Sequence, residues 1–144
     1  MNVKNERYLG IDYGDVRTGI AVSDPLGIMA LGVGTVRATG RRVLLEEIKK
    51  YIAEYSASVL VLGLPVNMNG SEGERAEKVR DFARFLEEET GLEVVLFDER
   101  CTTMEAHQIL NLTDTRGQKR KNAVDTLSAQ IILQNYMDRI KNGK

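Results

Sequence analysis

Three carboxylates stand where an ordinary globular sequence has little use for them. Asp12 falls at the end of the apolar stretch LGID, where an ionised acid is costly to bury unless it is paired or holds a cation. Glu99 follows the apolar run Val94–Phe97 by two residues. Asp125 heads a helical face that continues through Ala129, Ile132 and Tyr136. Carboxylates that converge repel one another, and the usual resolution is a divalent cation, with an all-oxygen donor set suiting Mg²⁺ or Mn²⁺. Each acid also has an ordinary reading that stays open. Asp12 would serve as a cap for the turn at Gly14, Asp125 as a favourable charge in the first turn of a helix, and Glu99 as the surface partner of Arg100 or Arg17.

The elements that must position these acids can be traced from hydrophobic periodicity. Tyr8–Tyr13 and Thr18–Ser23 read as a hairpin across a glycine-containing turn, and Ile28–Arg37 as a third strand. From Arg41 the period becomes helical, with Leu44, Ile48, Tyr51, Ile52 and Tyr55 on one stripe. Val59–Leu62 is a continuous apolar run, expected of a strand covered on both faces. The loop GLPVNMNG then leads to Ser71-Glu72-Gly73-Glu74, read as a capping box opening a helix that buries Ala76, Val79, Phe82, Ala83 and Leu86. The charges on the outside of that helix read as a solvated face. Val94–Phe97 is expected to form another buried strand. Thr102-Thr103-Met104-Glu105 reads as a second capping box for a short helix to about Leu110, residues 111–121 as a loop, and Asn122 as the cap of a last helix. Val124, Leu127, Ile131, Leu133 and Ile140 are its apolar positions. The order implies an α/β domain spanning 1–144: a five-stranded mixed sheet flanked by helices, three antiparallel strands followed by two parallel ones, with the first strand central. Ligand sites in such sheets favour strand C-terminal ends, which is where the three acids would meet.

Bulk properties narrow the partners. A chain of 144 residues with 42% hydrophobic and 28% charged residues has the balance of a soluble globular domain. No run approaches the roughly 18 uninterrupted apolar residues of a membrane helix. The start, MNVKNERYLGID, shows no signal-peptide core, and the single cysteine, Cys101, excludes an internal disulfide framework; both point to the cytoplasm. A net charge of −1 requires any nucleic-acid binder to concentrate its positive charge locally. RGQKRK does so, with Arg116, Lys119, Arg120 and Lys121 placed to grip a phosphate backbone without reading bases, although a solubilising loop would look the same. The GLPVNMNG loop, which ends at a helix N-terminus, offers backbone N–H groups to a phosphate or simply connects two elements. Cys101 is a poor nucleophile candidate, since the only histidine, His107, has no evident acid to orient it.

The blocks GIDYGDVRTGIAVSD, GLPVNMNG, DERCTT and KNAVDTLSAQIILQNY resemble, in order and spacing, the signature blocks of the YqgF/RuvX family. That family comprises Holliday junction resolvases also associated with maturation of the 16S ribosomal RNA precursor, and its fold is like ribonuclease H. The resemblance implies that Asp12, Glu99 and Asp125 are the metal-binding catalytic acids, and it also places Arg17, Arg100, Thr102 and Lys121 on family motif positions. Val16 departs from the family pattern, which usually has lysine before the arginine. The implied chemistry is phosphodiester hydrolysis with two cations about 4 Å apart, Asp12 bridging them and Glu99 and Asp125 each serving mainly one. Gly10, on the same strand face as Asp12, would leave room for a substrate backbone.

The substrate reading that follows is a precursor rRNA or a branched DNA, with ribosomal particles as a further partner, no membrane, and a monomer or weak homodimer. Junction resolution needs two symmetric cuts and hence a dimer. Two other classes compete: a non-catalytic nucleic-acid or ribosome-associated factor whose acids bind metal, and an ATPase of the actin and sugar-kinase kind, which shares the GIDYG-type opening but needs two such domains.

Overall fold

The computed structural model describes residues 6–67, 69–98 and 117–141, with side chains from 126 to 140 in the last stretch. In chain order the elements are β1 (Tyr8–Asp12), β2 (Arg17–Ser23), β3 (Ala30–Arg37), α1 (Arg41–Tyr55), β4 (Val59–Leu64), α2 (Glu74–Thr90), β5 (Glu93–Asp98) and α3 (Gly117–Lys141). They build one five-stranded sheet in the order β3-β2-β1-β4-β5, so the first strand is central, as expected. β1 pairs antiparallel with β2 and parallel with β4, β2 antiparallel with β3, and β4 parallel with β5.

Strand alternation sorts the core into two layers. Leu9, Ile11, Leu60 and Leu62 face α1 and α2, where Leu45, Ile48, Phe82 and Leu86 meet them with no more than 1% exposure. Val59 and Val61, together with Ala21, face α3 and pack on Ala129, Ile132, Leu133 and Met137. Covering both faces of β1 and β4 explains why their sequences are apolar without alternation. Val94–Phe97 differs from expectation: β5 is an edge strand and only half-buried, because nothing pairs with its outer side among the described residues.

Two helix starts are also corrected. α2 begins at Glu74 with Gly73 as its cap and no side-chain capping bond. The Ser71 hydroxyl instead donates to Asn69 Oδ1 at 2.7 Å and accepts from Asn67 Nδ2 at 3.0 Å, so the local polar turn wins over the capping box. α3 begins at Gly117, so residues 117–121 are helical rather than loop, and Asn122 lies inside the helix rather than capping it. Its buried face carries Ser128, Ala129, Ile132, Leu133 and Met137, whereas Leu127 and Ile131 are half-buried and Ile140 is exposed. Thus the face shared by Ala129, Ile132 and Leu133 meets the sheet, and of the apolar positions expected Ile140 lies outside it. The short helix expected up to Leu110 lies outside the described residues.

α3 closes one sheet edge as well as one face. Ala30 N–H donates to Gln134 Oε1 at 2.8 Å, and the side-chain amides of Gln130 and Gln134 donate to the carbonyls of Ala30 and Ile28 at 3.0 Å each. These bonds occupy backbone groups at the start of β3 that would otherwise invite another strand. Among the described residues no helix is long and apolar enough to cross a membrane.

Gly10 marks the tightest approach of helix and sheet. A Cβ there would stand 2.8 Å from Leu133 Cβ, closer than such atoms tolerate, and a tight 3.0 Å from the Ala129 carbonyl oxygen. The space above Gly10 therefore belongs to α3, not to a substrate backbone. Gly10→Ala is expected to lower stability by about 1–3 kcal/mol through overpacking. Urea unfolding should show an earlier midpoint with an unchanged slope; an unshifted midpoint would mean that α3 yields freely.

Candidate active site

β1 carries Asp12 to the C-terminal end of the central strand, opposite Gly19 of β2. Gly10 faces α3, and Asp12, two residues on, shares that side of the sheet. The chain then turns sharply. Gly14 N–H donates to Thr18 Oγ1 at 3.2 Å, and a Cβ on Gly14 would lie 2.0 Å from the Arg17 carbonyl oxygen, so only glycine fits. Thr18, 1% exposed, thus supplies the bond that the turn-capping reading asks of Asp12. Asp12 and Arg17 both line an open cleft of about 470 Å³, with Tyr13, Gly14, Asp15, Val16 and Arg75 on the same wall. Val16 is 52% exposed on the cleft lining.

α3 is aimed at the same end of the sheet. Tyr136 meets Tyr8 edge to face at 5.6 Å, and Ala129 and Leu133 close over Gly10, so the helix runs back along β1 as its numbering falls. Two residues of strand and four of helix each cover about 6 Å. One more turn beyond Ala129 therefore takes position 125 to the level of Asp12. Lys119, Arg120 and Lys121 lie earlier in the same helix, and like Asp125 they are described as helical backbone only. On the other flank, Val95 and Phe97 of β5 face the α3 layer, Phe97 packing against Tyr136 at 6.2 Å. Glu99, Arg100, Thr102 and Arg116 lie outside the described residues.

The loop after β4 spends amides on itself. Asn67 N–H donates to the Ser71 carbonyl at 2.8 Å, Gly70 N–H to the Asn67 carbonyl at 2.8 Å, and Ser71 N–H to Asn69 Oδ1 at 3.0 Å. A phosphate cradle at GLPVNMNG would have to do without those three donors.

The sequence reading missed Arg75. Most charges of α2 do form a solvated face, where Arg80 makes a two-pronged bond to Glu72 at 2.7 and 2.8 Å and Arg84 pairs with Asp81. Arg75 and Lys78 turn instead toward the β1–β2 turn. Arg75 Nη1 sits 3.1 Å from Asp15 Oδ1, Nη2 donates to the Tyr13 carbonyl, and the guanidinium carbon lies 5.5 Å from the centre of the Tyr13 ring. Tyr13 in turn stacks on Phe82 at 4.2 Å, and burial pushes its hydroxyl pKa above the ordinary value. Helical spacing placed Arg75, Lys78 and Phe82 along one side of α2, but the partner on the turn is about sixty positions away in sequence and leaves no local trace.

A family model described as "RuvX: Holliday junction resolvase" matches residues 6–139. The chain belongs to the RuvX family. It is 46% identical over 134 residues to a Clostridium beijerinckii protein named "Putative pre-16S rRNA nuclease", covering 93% of this chain and 97% of that one. A Clostridioides difficile protein of the same name is 44% identical over 132 residues, covering 92% and 94%. Among solved structures, Thermus thermophilus RuvC in complex with a Holliday junction substrate superposes with a TM-score of 0.60 at 12% identity, over 95% of this chain and 96% of that one. The fowlpox virus resolvase in complex with its junction DNA gives 0.57 at 10% identity, over 93% and 98%. The ribonuclease H-like fold expected from the sequence is the fold observed, shared with the RuvC and fowlpox resolvases, and the RuvX family to which this chain belongs is a family of nucleases.

Proposed function

We propose that this RuvX-family chain is, as one cytoplasmic domain over 1–144, a metal-dependent nuclease that hydrolyses phosphodiester bonds in structured RNA and trims the 5′ end of the 16S rRNA precursor. One observation carries the reading most directly: Asp12 stands half-buried at the C-terminal end of the central strand, on a cleft wall, on the sheet side that α3 crosses with position 125 at the same level. The names of relatives more than 40% identical over nearly the whole chain point to pre-rRNA as substrate.

The donor set fits a hard cation. Asp12, Glu99 and Asp125 offer only carboxylate oxygen, which suits Mg²⁺ or Mn²⁺, and together they would hold two such ions. When bound, these supply an activated water and charge compensation for the departing oxygen. The chain's own contribution is positional. Asp12 is fixed by a strand hydrogen-bonded on both sides, which holds a ligand more rigidly than a loop does. Arg17 and Arg75 line the cleft and draw the anionic backbone toward that carboxylate. Arg100, Thr102, Arg116, Lys119, Arg120 and Lys121 extend the grip on sugar and phosphate, contacts that set register but read no sequence.

Resolution of DNA junctions is the second reading, favoured by the description of the matching family model. It requires a dimer to make paired cuts, whereas RNA trimming is possible for a monomer or weak homodimer. Purified protein incubated with a precursor-rRNA fragment and with a four-way DNA junction, each with Mg²⁺, Mn²⁺ or EDTA, separates them. Metal-dependent shortening of the RNA 5′ end is the expected result. Symmetric nicking of the junction alone would move the assignment to DNA, and binding without cleavage under either metal would make the chain a non-catalytic factor.

A further inference from the structure

The cleft beside Asp12 continues into a second hollow of about 260 Å³ along α2, and the two share Tyr13 and Asp15. Its cations are Lys78 and Arg41. Asp15 lies between the hollows and engages both α2 cations, Arg75 at 3.1 Å and Lys78 Nζ at 3.7 Å. The arrangement is lopsided in a telling way. Arg75 is held independently of Asp15, by the Tyr13 carbonyl and by the face of the Tyr13 ring, itself stacked on buried Phe82. Asp15 is 62% exposed on the turn, and an ion pair that open to water is worth only about 0–1 kcal/mol. Removing the carboxylate would leave one preorganised cation, Arg75, and a more mobile one, Lys78, beside a cleft whose wall holds Asp12.

We propose that Arg75 and Lys78 form a phosphate-binding shelf for the nucleic-acid strand entering the Asp12 cleft, and that Asp15 occupies the shelf in the free protein as an internal substitute for that phosphate. This rests on the reading that the cleft receives nucleic acid. The exchange is favourable because the strand's phosphate brings counterion release that an exposed intramolecular pair cannot match. Arginine supplies a planar fork for the phosphate oxygens and lysine a point charge on a flexible stem, so Arg75 fixes orientation while Lys78 follows. The shelf also gives Asp15 a role distinct from that of Asp12 three residues earlier: one would hold cations, while the other is released as the strand docks.

The test is fluorescence anisotropy of the full chain with a fluorescein-labelled RNA hairpin bearing a single-stranded 5′ tail, in EDTA, across a series of KCl concentrations. Asp15→Asn is expected to tighten binding several-fold. Arg75→Ala and Lys78→Ala should each weaken it and reduce the salt slope by about 0.7–0.9. Because Arg75 also ties the turn through the Tyr13 carbonyl, Arg75→Lys serves as the folded control and should retain most of the slope. In an R75A/K78A background the gain from D15N should vanish. If that gain persists in full, Asp15 merely repels phosphate and the shelf is overturned. It is overturned equally if wild type binds and R75A/K78A keeps the wild-type slope, a result that leaves nucleic-acid binding itself intact. A wild type that binds no RNA removes the underlying reading and the shelf with it.

Discussion

Asp12→Asn should reduce cleavage by several orders of magnitude while leaving the protein folded. Asparagine keeps the shape and most of the hydrogen-bonding capacity of the side chain but removes the charge that would hold cations at the end of β1. The fold does not depend on that charge in the way the turn-capping reading requires, because Thr18 supplies the bond to the Gly14 amide. If Glu99 and Asp125 converge on Asp12 as proposed, loss of one of three acids that repel one another should leave stability equal or slightly raised. Two readouts besides cleavage check the assignment. Mn²⁺ should raise the unfolding temperature of wild type, since a ligand bound only to the native state stabilises it by mass action, and that increment should be absent in the variant. RNA affinity in EDTA should be unchanged or slightly higher, as a negative charge facing phosphate is gone. A variant that unfolds returns Asp12 to a structural role, and cleavage at the wild-type rate by a folded variant ends the metal-ligand assignment.

How much of this was legible beforehand differs from element to element. The central position of β1 and the parallel placement of β4 beside it agree with the sequence reading, and the unbroken apolar run of β4 is that of a strand covered on both faces. The run in β5 reads the same way although that strand lies half-buried at the edge. The face of α3 containing Ala129 and Ile132 follows from the spacing after Asp125, whereas of the apolar positions expected in this helix Leu133 is buried, Leu127 and Ile131 are half-buried and Ile140 is exposed. The helix meets the sheet face through apolar side chains but the β3 edge through the amides of Gln130 and Gln134, so apolar periodicity alone does not mark everything it covers. The start of α3 was missed because residues 117–121 are polar and basic, with no apolar beat to announce a helix. Gly10 was assigned to substrate because a bare glycine next to a candidate ligand looks the same in sequence whether a helix or a ligand lies above it. Only the 2.8 Å approach of Leu133 decides between them. At the site, Asp12 and Arg17 line one cleft because they flank one tight turn. Arg75 meets Asp15 only through the packing of α2 against the sheet, which no local pattern encodes.

Replacing Lys119, Arg120 and Lys121 together with alanine should produce the largest loss of nucleic-acid affinity. These residues stand in the opening turns of α3, which holds no acid in its first turn. The exposed N–H groups of a helix start favour negative charge, so three cations there oppose the helix dipole and cost stability unless an anion is bound. Alanine is the better helix former and removes that conflict, so the variant should fold with equal or greater helical stability, visible as an unchanged or raised melting temperature. Binding should move the other way. Three phosphate contacts correspond to about two units of salt slope on a single strand and nearly three on a duplex, or roughly a hundredfold in affinity near physiological salt. The measurement is anisotropy against the same labelled RNA in EDTA across KCl. A stabilised variant with a flattened slope would show that the helix start gives up stability to bind phosphate. An unchanged slope would assign the cluster to solubility and leave the grip on the backbone to the cleft residues, Arg17 and Arg75. The opposite signs expected for stability and affinity make the experiment decisive, because a variant damaged in folding loses both together.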